Sequence, residues 1–156
     1  MKASLLYLED LFVGQRITAG PYLMTEERIK AFAAEFDPQP FHLDGEAATH
    51  TLFRGLAASG WHTAAVGIKL MVASGLRFSI DVTGQAGGLV GFGGELSWPK
   101  PTRPGDELRL DAEIIEITPS RSKPHQGVVT VRSILLNQSD EQVYVATIKA
   151  LVFRRP

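Results

Sequence analysis

The chain has 156 residues, which suffice for one domain with its own core but are few for two. Its formal net charge of −1, with 44% apolar and 21% charged residues, is typical of a globular protein and gives no reason to expect a nucleic-acid partner. The absence of cysteine excludes disulfides, thiolate nucleophiles and cysteine-based zinc sites, and it fits a reducing cytoplasm.

Neither a signal peptide nor a membrane helix is expected. The apolar run within residues 1–10 is too short for a signal peptide and is followed by Glu9 and Asp10. The longest apolar stretch, about Trp61 to Leu76, falls short of the ~20 residues that a membrane helix needs, and Lys69 interrupts it. We therefore expect a cytoplasmic protein without a membrane partner.

An extended arm and a helix are predicted in the first quarter of the chain. Residues 11–19 indicate the arm, and Gly20-Pro21 indicates a turn after it. Thr25 is predicted to cap the helix, with two acidic residues in the first turn. The helix should end at Asp37, because a residue that precedes a proline avoids the helical region. Its apolar face comprises Ile29, Phe32, Ala33 and Phe36.

Two further helices are predicted before residue 80. Asp44 is expected to cap a short one, Gly45 to Thr51. A longer one begins at about Gly60 and should stop at Ser74-Gly75. It is apolar on nearly every side, and a helix of this kind is usually buried over most of its surface. Its small residues should let strands approach it closely; these are Ala64, Ala65, Gly67 and Ala73.

From Gly87 onward the apolar residues follow the period of two that is typical of strands. Four strands are predicted, over Gly88–Trp98, Glu107–Glu113, Gly127–Leu136 and Val143–Phe153. The alternation breaks at Ile114-Ile115, which predicts a bulge, and a polar turn at residues 137–141 joins the last two strands. Early helices followed by late strands favour one α+β domain, residues 1–156, with an antiparallel sheet packed on one buried helix.

An acid and a histidine stand on either side of the stiff link Pro38-Gln39-Pro40. Asp37 and His42 are residue types that act as base and acid, and the N–H groups at the helix start near Gly60 can stabilise negative charge. Each side chain also has a purely structural interpretation. Asp37 can accept neighbouring backbone N–H groups in an Asx turn, and His42 can be a buried histidine with one satisfied bond.

Three segments of the chain carry a resemblance to a known family. They are Asp37-Pro38-Gln39-Pro40-Phe41-His42, Ala58-Ser59-Gly60-Trp61, and Leu96-Ser97-Trp98-Pro99-Lys100-Pro101 together with Pro104-Gly105-Asp106. In these segments the chain resembles the MaoC-like dehydratases, in the family of (R)-specific enoyl-CoA hydratases, which have a hot-dog fold. The resemblance covers nearly the whole chain, from Leu8 to Phe153.

The resemblance implies a single hot-dog domain, in which an antiparallel sheet wraps around a central helix. It implies a hydratase or dehydratase for trans-2-enoyl and (R)-3-hydroxyacyl thioesters, with Asp37 and His42 as the catalytic pair. Gly60, with Ser59 and Trp61, would bind the thioester and its oxygen. We expect an acyl-CoA or acyl-carrier substrate, no separate cofactor, and a homodimer or an assembly of dimers.

The chain departs from the family's motif beside the acid. Many members read Gly-Asp-x-Asn-Pro, whereas here Phe36 precedes the acid and Gln39 replaces the asparagine. The parts that water addition needs are still present in the sequence. These are a base for the proton of water, an acid for the α-carbon, and donors for the thioester oxygen.

Other polar residues are weaker candidates. Arg121 and Lys123, in the basic loop of residues 119–126, are expected to be either solvated charges or contacts to the phosphates of coenzyme A. Ser59 lacks the Gly-x-Ser-x-Gly elbow of a serine hydrolase, and His62 is expected to pack or to form a hydrogen bond. No metal site is expected, because no recognised ligand spacing connects the available side chains, His42, Asp44, His50 and His62.

Two alternative functions remain open at this point. One is a thioesterase on the same fold, in which an acid activates water towards the carbonyl carbon. The other is a module that binds acyl chains or a partner subunit without catalysis. The pair of Asp37 and His42 favours hydration, because such a thioesterase does not need the histidine.

Overall fold

A five-stranded antiparallel sheet packs against one long helix in the computed structural model of the chain, which describes residues 4–156. The helices are α1 (Glu26–Phe36), α2 (Pro40–Leu43), α3 (Gly45–Thr49) and α4 (Gly60–Ala73), and a 3-10 turn covers Leu8–Asp10. The strands are β1 (Leu5–Leu6), β2 (Arg16–Leu23), β3 (Arg77–Ser79), β4 (Gly87–Gly88), β5 (Gly91–Ser97), β6 (Glu107–Pro119), β7 (Gln126–Leu136) and β8 (Gln142–Phe153). Residues 1–3, in the segment for which no signal peptide is expected, lie outside the described residues.

The core lies between α4 and the inner face of the large sheet. This sheet has the strand order β2-β6-β7-β8-β5, and a small sheet has the order β1-β3-β4. Helix α4 contacts β2, β6, β7 and β8. Alternate residues of β6 are buried, as the sequence pattern predicts; they are Leu108, Leu110, Ala112 and Ile114. The predicted α+β domain, with one antiparallel sheet on one helix, is confirmed.

Helix α4 buries one face and exposes the other. The buried face lies close to the sheet, since a Cβ atom on Gly67 would stand 3.4 Å from Cε1 of Tyr144. On the opposite face Trp61, Ile68 and Val72 are 59%, 54% and 60% exposed. A single chain therefore covers only one face of α4. The outer edge of β5 is also free among the described strands, because β5 is the last strand of the large sheet.

The predicted helix ends are confirmed. The Oγ1 atom of Thr25 accepts a hydrogen bond from the N–H of Arg28 at 3.1 Å, and α1 ends with Asp37 as its C-cap. Asp44 caps α3 by accepting the N–H of Glu46 at 2.9 Å, although α3 ends slightly earlier than predicted. Within residues 4–156, the helices all lack the length and apolarity that crossing a membrane requires.

Of two predictions about irregular positions in the sequence, one is confirmed and the other is wrong. The predicted bulge in β6 is confirmed, because the register shifts between Ile114 and Glu116 and leaves Ile115 as the extra residue. The predicted turn at Gly20-Pro21 is wrong, because both residues lie inside β2 at a shift of register. A proline lacks the N–H that a strand ladder uses, and a bulge in an edge strand accommodates it.

The strand predicted over Gly88–Trp98 is divided in two. Strand β4 ends at Gly88 in the small sheet, and β5 begins at Gly91 in the large sheet. Glycine-rich strands have few side chains to pack, so the period of the sequence says little about their pairing. Four elements were not predicted, because two to four residues are too few to show a period; they are β1, the 3-10 turn at Leu8–Asp10, α2 and β3.

Candidate active site

A cavity of about 460 Å³ opens at the N-terminal end of α4. Four residues that the sequence singled out line it, namely Asp37, His42, Gly60 and Trp61. The loop that follows β5 forms another part of the wall. The fold therefore brings the predicted acid–base pair, Asp37 and His42, together with the predicted oxyanion donor.

The acid–base pair is in direct contact. The Nε2 atom of His42 lies 3.2 Å from Oδ2 of Asp37, and the two side chains are 6% and 17% exposed. The other ring nitrogen, Nδ1, lies 2.6 Å from the carbonyl oxygen of Ala57. A carbonyl oxygen only accepts hydrogen bonds, so Nδ1 carries a proton in this contact. The contact between Nε2 and Oδ2 is attractive when Nε2 carries a proton as well, because that proton then lies between the nitrogen and the carboxylate oxygen.

The local chain geometry explains why the pair meets. Asp37 ends α1, and the N–H of Gln39 donates to its carbonyl oxygen at 2.8 Å in a tight turn. Pro40 is the first residue of α2, a position that proline favours because its missing N–H has no helical partner. The single turn of α2 then directs His42 back towards Asp37. Pro40 therefore initiates a helix, and the link between Asp37 and His42 is more than a stiff spacer.

Asp37 is held in its charged form. Burial raises the pKa of its carboxyl, but the side chains of Ser59 and Gln39 and the charge of His42 outweigh burial and lower the pKa below its ordinary value. The Nε2 group of Gln39 donates to Oδ1 at 2.5 Å. Ser59 is 1% exposed and lies near the carboxylate, yet among residues 4–156 its hydroxyl has no partner of hydrogen-bond geometry. Asp37 is therefore a carboxylate at neutral pH that can accept a proton.

The start of α4 supplies backbone donors next to the pair. Gly60 is the first helical residue and lines the cavity, whereas Ser59 stands at the N-cap without capping through its side chain. The first N–H groups of a helix have no acceptor within it, and within residues 4–156 no backbone carbonyl accepts that of Gly60. The positive end of the helix dipole adjoins the cavity as well. This end of α4 can therefore stabilise an oxygen that gains negative charge.

The sequence did not reveal several residues of the wall. Trp98 packs edge to face against Trp61, with ring centroids 5.2 Å apart, and both line the cavity. Lys100 also lines it and forms an ion pair with Glu141. Trp98 and Lys100 belong to a segment that the sequence singled out only as a resemblance, because nothing local indicates which cavity a loop side chain reaches.

The structure does not bring Arg121 and Lys123 to this cavity. Both are exposed in the loop between β6 and β7, and neither lines the cavity of its own chain. Strand β6 has 13 residues and spans roughly 40 Å, and its first residue follows the loop that lines the cavity. The loop with the two cations therefore lies at the far end of the sheet.

His62 packs as expected and takes no part in the site. Its ring stacks on that of Phe32, with centroids 4.6 Å apart, and it is buried. Its Nδ1 atom has no hydrogen-bond partner within residues 4–156. Burial, followed by the charge of Arg28, lowers the pKa of His62 below its ordinary value. In the same part of the chain, no three His, Cys, Asp or Glu side chains are grouped so that they could hold a metal ion.

Known proteins are similar to this chain over almost its full length. The model of a family described as "MaoC like domain" matches residues 12–136. The protein YdeM of Bacillus subtilis (strain 168) is 29% identical over 147 residues, which are 94% of this chain and 99% of that protein.

Solved structures are similar as well. A crystal structure of a MaoC-like dehydratase from Rhodospirillum rubrum is 54% identical, covers 97% of this chain and 99% of its own, and superposes with a TM-score of 0.89. The R-hydratase PhaJ1 from Pseudomonas aeruginosa, in its unliganded form, is 25% identical over 96% of this chain and 86% of its own, with a TM-score of 0.67. The predicted hot-dog fold is confirmed by these similarities.

Proposed function

The chain belongs to the MaoC-like domain family, and from this premise we propose that it hydrates trans-2-enoyl thioesters and dehydrates (R)-3-hydroxyacyl thioesters. The observation that supports the proposal most directly is the contact between His42 Nε2 and Asp37 Oδ2, 3.2 Å apart beside the start of α4. The similarity to an R-hydratase supports the stereochemistry of the hydroxyacyl thioester.

The proposed hydration uses both members of the acid–base pair. The Asp37 carboxylate accepts a proton from water while the water oxygen bonds to the β-carbon of the substrate. The electron pair of the carbon–carbon double bond moves towards the thioester, and His42 donates its Nε2 proton to the α-carbon. The proton on Asp37 then returns to Nε2 across the same 3.2 Å contact. Each turnover thus restores the pair without a cofactor, and dehydration follows the same steps in reverse.

The proposed steps also imply a stereochemical outcome. The two proton carriers are neighbours, so they face the substrate from one side. The hydroxyl group and the new proton should therefore add to the same face of the double bond.

The N–H of Gly60 is the proposed donor to the thioester oxygen. That oxygen gains negative charge when the double bond is attacked, and a fixed donor at a helix start stabilises it more than it stabilises the uncharged substrate. Ser59 directly precedes the donor but does not line the cavity; its buried side chain lowers the pKa of Asp37 and is proposed to help keep that carboxylate charged.

The carrier of the acyl group is proposed to extend past the rim of the cavity. Lys100 lines that rim and is the cation that we propose contacts a phosphate of the carrier. Arg121 and Lys123 lie far from the cavity of their own chain. We therefore propose that they contact carrier phosphates only when the substrate is bound in the cavity of a second subunit.

A homodimer, or an assembly of dimers, is proposed because a single chain leaves apolar surface exposed. The face of α4 with Trp61, Ile68 and Val72 and the free edge of β5 are surfaces that a second copy can cover. Pairing of the β5 edges would continue the large sheet from one subunit into the next.

The proposed reaction is tested with a series of trans-2-enoyl-CoA thioesters of increasing length. Loss of enoyl absorbance without release of free thiol, with an (R)-3-hydroxyacyl product, is the expected result. In D2O the product should carry deuterium and hydroxyl on the same face. Release of thiol without hydration would favour a thioesterase, and the absence of both reactions with every thioester would contradict the proposal.

A further inference from the structure

On the basis of the proposed function, we propose that Arg103 is a positioning residue for the acid–base pair. Arg103 lies in the loop between β5 and β6 and does not itself line the cavity. Its guanidinium donates to three backbone carbonyls of one short segment, those of Phe53, Gly55 and Leu56. The Nη1 atom lies 3.0 Å from the oxygen of Gly55 and 3.2 Å from that of Leu56.

The segment that Arg103 binds ends at the carbonyl that orients His42. Ala57 directly follows Leu56, and its carbonyl oxygen accepts the Nδ1 proton of His42 at 2.6 Å. This bond fixes the orientation of the ring and directs Nε2 towards Asp37. A displacement of residues 53–57 would therefore release the Nδ1 proton and rotate the imidazole away from its partner. The ring of Phe53 also contacts that of His42, with centroids 6.1 Å apart.

The segment depends on Arg103 because it contains no regular secondary structure. Residues 53–57 lie between α3 and α4, and Arg54 adopts φ 56°, a left-handed conformation that is uncommon for a residue other than glycine. Among residues 4–156, the carbonyls of Phe53, Gly55 and Leu56 accept hydrogen bonds from Arg103 alone. These contacts are partly buried, and a carbonyl that loses its donor in such a place is unfavourable, so loss of the guanidinium should move the segment.

Arg103 is itself held firmly enough to act as a support. Its backbone N–H donates to Oδ2 of the buried Asp106 at 2.8 Å. The preceding residue, Thr102, accepts the N–H of Ala58 at 2.9 Å and thus joins the same loop to the chain beyond Ala57. The planar guanidinium spreads its donors in a fixed fork, which a lysine cannot reproduce with one flexible ammonium. Two adjacent residues of this loop therefore hold both sides of the carbonyl that His42 uses.

The test compares two variants of Arg103 with a matched control. Arg103→Met retains length and removes all donors, and Arg103→Lys retains the charge but not the fork. Arg109→Met is the control, because Arg109 likewise donates to a backbone carbonyl, that of Asn137 at 3.0 Å, outside the segment. For each purified variant we would measure kcat and KM of hydration, the melting temperature, and, by proton–nitrogen NMR, the signal of the His42 Nδ1 proton that the Ala57 carbonyl accepts.

Arg103→Met should lower kcat by up to about 100-fold with little change in KM, since misplacement of catalytic groups by about 1 Å has effects of this size. Its His42 Nδ1 proton should lose its hydrogen-bonded signal, which moves to higher field or disappears through exchange with water. Arg103→Lys should change both readouts in the same direction by less, and it decides the matter if Arg103→Met does not fold. Arg109→Met should alter only the melting temperature.

Wild-type kcat and an unchanged signal of the His42 Nδ1 proton in folded Arg103 variants would overturn the proposal, even if the melting temperature falls. The NMR readout does not depend on the reaction. A wild-type protein that hydrates no thioester would therefore contradict the proposed function alone, while the signal of the Nδ1 proton would still show whether Arg103 positions His42.

Discussion

The indole of Trp98 lies against the backbone of Gly60 at the start of α4. The Nε1 group of Trp98 donates to the carbonyl oxygen of Gly60 at 2.8 Å. A Cβ atom on Gly60 would stand only 2.6 Å from Cε2 of the indole. The close approach of Trp98 therefore accounts for a glycine here, independently of any approach by the substrate. Every substitution of Gly60 displaces the indole, so two substitutions must be compared with each other.

Gly60→Pro should lower kcat by about 10²–10³-fold relative to Gly60→Ala, because only the proline lacks the proposed oxyanion donor. Both variants carry a Cβ atom and displace Trp98 in the same way. Ser59 has φ −54° and ψ 135°, the extended conformation that a residue before proline prefers, so the helix start can accept the proline. Steady-state kinetics of the two folded variants measure the difference. Equal kcat values would mean that the thioester oxygen is held elsewhere.

Asp37→Asn and His42→Ala should each lower kcat of hydration by about 10²–10⁴-fold, the usual contribution of a proton-transfer group. Circular dichroism should show an unchanged fold. Asp44→Asn and His50→Ala are matched controls, because Asp44 caps α3 and neither residue lines the cavity. Asparagine is also a good N-cap, so the first control should retain activity and stability. Near-normal turnover by a folded variant of the pair would disprove the proposed roles.

Val72→Glu should weaken self-association of the chain. Val72 is 60% exposed on the free face of α4, and burying a charge at an interface is unfavourable. Val13→Glu, at a residue that is 61% exposed outside this face, is the matched control. Light scattering should show a dimer or larger assembly for the wild type and the control, and more monomer for Val72→Glu. A wild-type chain that is monomeric and active at assay concentration would contradict the proposed assembly.

His62→Phe should make the protein less sensitive to acid. Burial, and then the charge of Arg28, lowers the pKa of His62 in the folded state. The unfolded chain therefore binds a proton here that the folded chain does not, so the free energy of unfolding falls as the pH drops below about 6.5. Phenylalanine retains the ring that stacks on Phe32 and does not titrate. Urea unfolding at about pH 7.5 and about pH 5.5 measures the effect. The same loss of stability in both proteins would show that other groups cause it.

The sequence by itself determined the features that depend on neighbouring residues. Thr25 and Asp44 each precede a helical pattern and cap that helix, because their side chains accept hydrogen bonds from N–H groups of its first turn. Alternation in β6 predicted its buried face and its bulge. Asp37 and His42 were predicted as a pair because they flank Pro38-Gln39-Pro40 and because this segment resembles a family motif, and the structure places them in contact. The prediction of a turn at Gly20-Pro21 was wrong, because glycine and proline occur in strand bulges as well as in turns.

Only the tertiary structure decided which distant groups surround that pair. Ala57 orients His42 through a backbone carbonyl, and no sequence pattern marks a carbonyl. From the loop after β5, Trp98 reaches the site and Arg103 reaches the segment before α4, whereas Arg121 and Lys123 lie at the far end of β6. These relationships join residues far apart in the chain, and they are set by how the sheet packs on α4. The local sequence predicts where each element is capped and whether it is a helix or a strand. The placement of the elements relative to one another is set by the burial of their apolar faces against each other.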